Sequence, residues 1–122
     1  MADEIVELAG VPVLVCAADG PTIAGEQDAL DVIGQTFAGA EIVAIPVARL
    51  DERFFALRSG LAGGIMQKFV NYRLRLVVVG DITGHTAGST ALRDLVVESN
   101  RGNQVWFVDD LDDLDALAAR LS

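Results

Sequence analysis

Residues 80–90, Gly80-Asp81-Ile82-Thr83-Gly84-His85-Thr86-Ala87-Gly88-Ser89-Thr90, collect a carboxylate, an imidazole, several hydroxyls and three glycines in one stretch. Asp81, His85 and either Ser89 or Ser59 are the residue types of a hydrolytic relay, in which a carboxylate orients an imidazole that takes a serine proton. No nucleophile elbow and no separate oxyanion device stand beside them, so the hydrolase reading has residue types without a motif. The same stretch suits a second chemistry. Glycines between a strand and a helix free backbone N–H groups to cradle a phosphate. The Gly-Lys-Ser/Thr ending of a P-loop is missing, as is any GxGxxG, so nucleotide binding has position and flexibility but no signature. Ser59 lies between Arg58 and Gly60-Leu61. A serine there can cap a helix, and a helix start beside an arginine attracts an anion. Arg58, Thr83, Ser89 and nearby N–H groups are thus candidate anion contacts, with Ser89 also placed to cap the helix that follows. His85 is the one histidine and Cys16 the one cysteine. A zinc site cannot be built from that pair, and neither a metal nor another cofactor is implied. Cys16, inside the apolar run 13–17, reads as a small buried hydrophobe.

Charge is unevenly placed around these residues. The net charge of −9 divides into eight acids and no base over residues 1–48, five acids and eight bases over 49–101, and five acids and one base over 102–122. The basic middle can attract a small anionic ligand or an acidic protein partner, or its arginines can pair with the acidic flanks across the fold. Those flanks repel a nucleic-acid backbone, whose binding requires several phosphates to be neutralised together.

The elements that must position these groups follow from periodicity. With 122 residues the chain fits one domain, 1–122, able to bury a core without disulfides. Residues 5–8 and 11–17 are β-prone runs separated by Ala9-Gly10, which predicts an N-terminal hairpin; Pro12 is tolerable only at a strand start or edge. Leu30, Ile33 and Phe37 are at helical spacing within 25–37, with Glu26, Asp28 and Asp31 mostly opposite. Gly39 ends that helix, and the strand over 41–47 is apolar enough to be covered on both faces. Phe54, Leu57, Leu61, Ile65, Phe69 and Tyr72 form one stripe expected to pack on the sheet. Gly60, Gly63 and Gly64 each weaken a helix interior, so the helix is expected to start afresh near Ser59. A central strand over 75–80, a helix over 89–99, a last strand over 104–108 and a closing helix over 111–121 complete the order. The closing helix begins acidic and ends with Arg120, as the helix dipole favours. On the last strand Trp106 and Phe107 alternate, one entering the core and the other packing beneath the closing helix or forming a contact patch.

The predicted fold is therefore α/β: a single-domain α/β sandwich with a mixed sheet of about five strands, an N-terminal hairpin followed by parallel strands, and about four helices. In such a sheet Ser59 and the 81–90 loop are neighbours outside the strand C-termini, where open α/β sheets bind ligands. Lys68, Arg73, Arg75 and Arg101 fall at the opposite end as a basic rim, where cations also suit helix C-termini. No apolar run approaches the roughly 20 residues of a membrane span. The acidic start Met1-Ala2-Asp3-Glu4 has no secretory signal, and with one cysteine the expected location is the cytoplasm.

Leu61-Ala62-Gly63, Gln67-Lys68-Phe69, Asn71-Tyr72-Arg73, Val79-Gly80-Asp81 and Glu98-Ser99-Asn100-Arg101-Gly102 together resemble the bacterial domain-of-unknown-function family DUF4180. The likeness covers most of the chain and carries no activity with it; Ala56 and Gly64 stand where relatives tend to carry acidic residues. More distantly, Ser59-Gly60-Leu61 ahead of an apolar helix, a strand ending in Gly80 and a further helix resemble STAS domains, the anti-sigma factor antagonists. That likeness implies a STAS-like fold and a phosphoacceptor role for Ser59, with Leu57 and Arg58 replacing the aspartate and first serine usual before that acceptor. A phosphate there would meet a helix N-terminus and alter what docks. The expected function is a small regulatory or protein-interaction domain, more a binding module than an enzyme, switched by phosphorylation or anion binding near Ser59. The alternatives are a small anionic-ligand module at the same rim, with Asp81, Thr83, His85 and Ser89, and a hydrolase using His85.

Overall fold

The computed structural model describes residues 3–119. Its five strands, β1 (Glu4–Leu8), β2 (Val11–Val15), β3 (Ile42–Pro46), β4 (Arg75–Val79) and β5 (Val105–Val108), form one sheet in sequence order. β1 and β2 pair antiparallel, and β2 to β5 run parallel. The hairpin turn holds Ala9 at φ 50° and Gly10 at φ 80°, the two positive values that match a tight turn to strand twist. Pro12 lies near the start of β2, one residue before pairing with β3 begins at Val13, so its missing N–H breaks no bond of the parallel ladder.

Five helices accompany the sheet: α1 (Glu26–Gln35), α2 (Leu61–Asn71), α3 (Thr83–Thr86), α4 (Thr90–Arg101) and α5 (Leu111–Ala119). Right-handed crossovers between strands laid down in steady order put α1, α2 and α4 on one face. Alternation along the strands separates two cores accordingly. Leu14, Val43, Ile45, Leu76, Val78, Val105 and Phe107 meet α1, α2 and α4. Val13, Ile42, Ala44, Val77 and Trp106 meet Leu114 of α5. Phe107 therefore enters the main core and Trp106 lies beneath the closing helix, while Ile42 to Ile45 are buried on both faces. Arg120, expected at the dipole-favoured end of that helix, lies outside the described residues.

Helix α2 buries Ala62, Ile65 and Phe69 at helical spacing. Full burial of side chains the size of Ile65 or Phe69 contributes about 1.5–3 kcal/mol each. Its start is fresh, as expected: two 3₁₀ turns, Glu52–Phe54 and Leu57–Ser59, precede it, and Gly60 turns the chain at φ 75°. Its end is less usual. Arg73 N–H donates to the Val70 carbonyl and Leu74 N–H to the Phe69 carbonyl, closing the helix while Arg73 adopts φ 57°. Glycine normally fills that left-handed position; a residue with Cβ carries about 1–2 kcal/mol of strain there.

Two aromatic expectations fail for local reasons. α1 ends at Gln35, and the following 3₁₀ turn Thr36–Ala38 buries Thr36 and leaves Phe37 76% exposed. Tyr72, one residue past α2, is 48% exposed rather than packed on the sheet.

At the C-terminal end of β4, Gly80 has φ 140°, and a Cβ there would stand 2.9 Å from Val47 Cγ2. Gly80→Ala will lower stability by about 2–4 kcal/mol, combining backbone strain with overpacking, as a urea denaturation midpoint will register. An unchanged midpoint would show that neither the backbone conformation at Gly80 nor the contact with Val47 penalises a side chain there.

Candidate functional site

The loops at the C-terminal ends of the parallel strands are held by short-range bonds. Ile23 N–H donates to the Arg49 carbonyl at 2.6 Å and Asp51 N–H to the Ile23 carbonyl at 3.1 Å, tying the loop before α1 to the loop after β3. Asp51 Oδ1 accepts from both Arg53 N and Arg53 Nε at 2.9 Å. The Arg53 side-chain bond, then the backbone bond and the guanidinium charge, hold the Asp51 carboxyl below its usual value despite a small opposing desolvation. That anchor turns Phe54 and Phe55 into the core, where their rings meet edge to face at 5.2 Å. Phe55 also stacks on His85 of α3, with centroids 4.2 Å apart and planes 13° from parallel. Segments 52–56 and 83–86 therefore meet, around an open cleft of about 430 Å³ lined by Glu52, Arg53, Phe55, Ala56 and His85. Phe55, the partner of His85, is invisible as a site residue in sequence because it is an apolar residue beside Phe54, with no polar group and no motif to mark it.

Ser59 stands one step from this cleft. Its hydroxyl donates to the Arg53 carbonyl at 2.6 Å and accepts from Leu61 N–H at 3.1 Å, so it satisfies the first N–H of α2 from the preceding 3₁₀ turn, while Gly60 holds the N-cap position. Arg58 beside it is exposed and has no ion pair among the described residues. Gly60 supplies the turn and no side chain.

The relay of the 80–90 stretch is not assembled. Asp81 Oδ1 accepts from Thr83 N at 2.9 Å and from Thr83 Oγ1 at 2.7 Å. Those bonds, the backbone one first, hold its carboxyl below the usual range, which makes it an acceptor rather than a proton donor. Ser89 Oγ accepts from Leu92 N at 3.1 Å as the cap of α4. His85 stacks on Phe55 and bonds to neither Asp81 nor a serine. Cys16 is buried, and desolvation, with Asp3's charge added and Arg49's opposing, pushes its thiol up to about 12, so it is not a nucleophile at neutral pH. No group of three or more metal-ligating side chains occurs among the described residues. No described helix is long and apolar enough to cross a membrane.

The basic rim divides. Lys68 reaches Glu26 at 3.4 Å and Arg101 reaches Glu98 at 3.2 Å, on α1 and α4 respectively. Arg73 and Arg75 instead share a cleft of about 330 Å³ with Val70, Leu74, Asn103 and Gln104, at the strand N-terminal end of the sheet. Arg75 Nε is buried there without an acceptor.

A further groove, about 530 Å³, follows the outer edge of β5 between α4 and α5, with apolar walls that include Ile82, Val96 and Leu117 and with Asp109 and Asp113 at its side. Asn100 lines it and bonds reciprocally to Phe107, accepting from its N–H at 2.7 Å and donating to its carbonyl at 3.1 Å. Its neighbour Gly102 accepts from Trp106 Nε1 at 2.8 Å. The Glu98-Ser99-Asn100-Arg101-Gly102 motif thus serves to seat β5, a role its sequence conceals because both partners lie on another element.

Comparison with curated proteins and with solved structures returns no match. A family model, by contrast, matches residues 8–118, a span from the end of β1 into α5 that takes in both clefts and the groove. The chain belongs to the family described as a domain of unknown function, DUF4180.

Proposed function

We propose that this domain is a non-catalytic interaction module whose working surface is the rim around Arg58, Ser59 and the Phe55–His85 stack. An anion at the start of α2, carried as a phosphoryl group on Ser59, sets which protein partner docks. The observation that carries the reading is the exposed Ser59, just ahead of an eleven-residue helix and beside an arginine with no ion pair among the described residues. A phosphate placed there would break the bond to the Arg53 carbonyl, retain an acceptor for Leu61 N–H and put two negative charges within reach of arginines. The Ser-Gly-Leu likeness to STAS acceptors points the same way. Binding rather than turnover is supported by Asp81, His85 and Ser89 each being committed to a separate local partner. For an anionic small molecule at the same rim, Thr83 and Ser89 are already engaged, leaving Arg58 and the main chain as contacts.

Phosphopeptide mapping of the protein isolated from its native host is expected to find phosphate on Ser59. A partner recovered with the wild-type chain is expected to distinguish Ser59→Asp from Ser59→Ala by about tenfold or more in affinity, near 1.4 kcal/mol. Unmodified Ser59 together with equal binding by the two variants would sink the proposal.

A further inference from the structure

We infer that the cleft at the strand N-terminal end of the sheet, between the end of α2 and the start of β5, binds the oxyanion head of a small molecule, a phosphoryl or carboxylate group, through Arg73 and Arg75. This site is independent of the Ser59 rim, on which nothing in it rests.

Three observations converge on it. Arg73 holds the left-handed position that closes α2, where glycine would remove the strain and only the backbone makes the closing bonds. The helix therefore has no need of this side chain, and an unrelieved strain of this kind accompanies a side chain with another task. Arg75 buries its Nε–H without an acceptor, a donor that a protein interior seldom leaves unused. Asn103 and Gln104 complete the lining, which among the described residues includes no carboxylate. Glu41 takes the Arg75 backbone N–H through its carbonyl and forms no ion pair with either arginine. Arg49, Arg53, Lys68 and Arg101, by contrast, each hold a carboxylate within 3.4 Å.

Two guanidinium groups and two amides facing one cleft supply several N–H donors and a double positive charge. That is the chemistry that recognises phosphate or carboxylate oxygens. The C-terminal end of α2 opposes an anion with about half a charge, which two arginines exceed.

The experiment adds inorganic phosphate, and separately acetate, to the isotope-labelled protein at constant ionic strength balanced with chloride. Saturable shifts are expected at the backbone amides of 73–75 and 103–104 and at Arg75 Nε–H. Phosphate alone acting identifies a phosphoryl head and acetate alone a carboxylate, and either supports the site. Arg75→Gln and Arg73→Gly are each expected to weaken binding tenfold or more. Arg73→Gly should at the same time raise the thermal midpoint, so lost binding cannot be lost folding, and this variant carries the test should Arg75→Gln fail to fold. Shifts that merely follow added salt without saturating, or an Arg73→Gly protein that binds as well as the wild type, would overturn the inference.

Discussion

Arg49→Met will destabilise the domain by about 3–5 kcal/mol, the range for removing one partner of a buried ion pair. The Arg49 side chain is 3% exposed and lies 3.0 Å from Asp3 Oδ1, whose own side chain is 9% exposed. Two further donors are used as well: Nε gives to the Pro21 carbonyl at 2.6 Å and Nη1 to the Ala17 carbonyl at 2.9 Å. Asp3 in turn accepts from Ala17 N at 2.8 Å and from Gln35 Nε2 at 3.1 Å. The ion pair therefore joins the residue before β1, the loop after β2, the end of α1 through Asp3 and the turn after β3. Gly20 shows how closely it is packed, because a Cβ there would overlap the guanidinium. Methionine keeps much of the apolar volume but leaves the Asp3 carboxylate without its cation, takes the donor from the Pro21 carbonyl and leaves the Ala17 carbonyl with the Gly20 N–H at 3.3 Å. Urea denaturation will measure the loss, and a midpoint near the wild type's would show the network to be dispensable.

Acid should act on the two proteins in different ways. Burial raises the Asp3 carboxyl, but the bonds from Ala17, Gln35 and Arg49 and the arginine's charge outweigh it, so the folded value lies below the ordinary one. A carboxyl lowered on folding contributes stability that is fully present above its unfolded value, about 3.9, and is lost as pH falls through the folded value. The wild type should thus lose this contribution only in strong acid. In Arg49→Met the arginine's bond and charge are gone and only the Ala17 and Gln35 bonds oppose burial, so the carboxyl rises relative to the wild type and the variant's deficit should shrink as pH falls through the carboxylate range. A deficit that is constant over that range would separate the instability from Asp3.

The parts of this fold legible in sequence are those encoded by local periodicity. Alternation distinguishes Trp106 from Phe107, an unbroken apolar run marks β3 as buried on both faces, and helical spacing marks Ile65 and Phe69 as core. Where the period itself changes, the reading fails: the 3₁₀ turn after Gln35 moves Phe37 from the apolar stripe into solvent. The short helix α3 has no period to detect in its four residues. The charge asymmetry between the first 48 residues and the middle signals pairing across the fold, yet it cannot select Arg49 for Asp3 and Lys68 for Glu26 without tertiary register. At the candidate site, Ser59 at a helix start was readable from Gly60-Leu61. The dispersal of Asp81, His85 and Ser89 depends instead on competition, since nearby backbone and hydroxyl partners at Thr83 and Leu92 win over distant side chains.

The second large effect is expected at Asn100, where helix α4 completes the edge of the sheet. β5 is the last strand in the order, so the backbone groups on its outer side have no further strand to pair with. Asn100 supplies both missing halves for Phe107, an acceptor for its N–H and a donor for its carbonyl, as a neighbouring strand would. Phe107 is 7% exposed, so water does not readily replace the lost bonds. Asn100→Ala leaves one buried donor and one buried acceptor unpaired and should cost about 2–4 kcal/mol, lowering the thermal midpoint by roughly 10 °C. Asn100→Asp separates the halves: its carboxylate still accepts from Phe107 N–H but turns an oxygen towards the Phe107 carbonyl, so an intermediate loss is expected. Opening this edge beside an apolar groove also gives a second chain a place to pair, and concentration-dependent association should accompany the loss. Should Asn100→Ala instead keep the wild-type midpoint, the reciprocal bond would be incidental, and β5 would be seated by the burial of Trp106 and Phe107 alone.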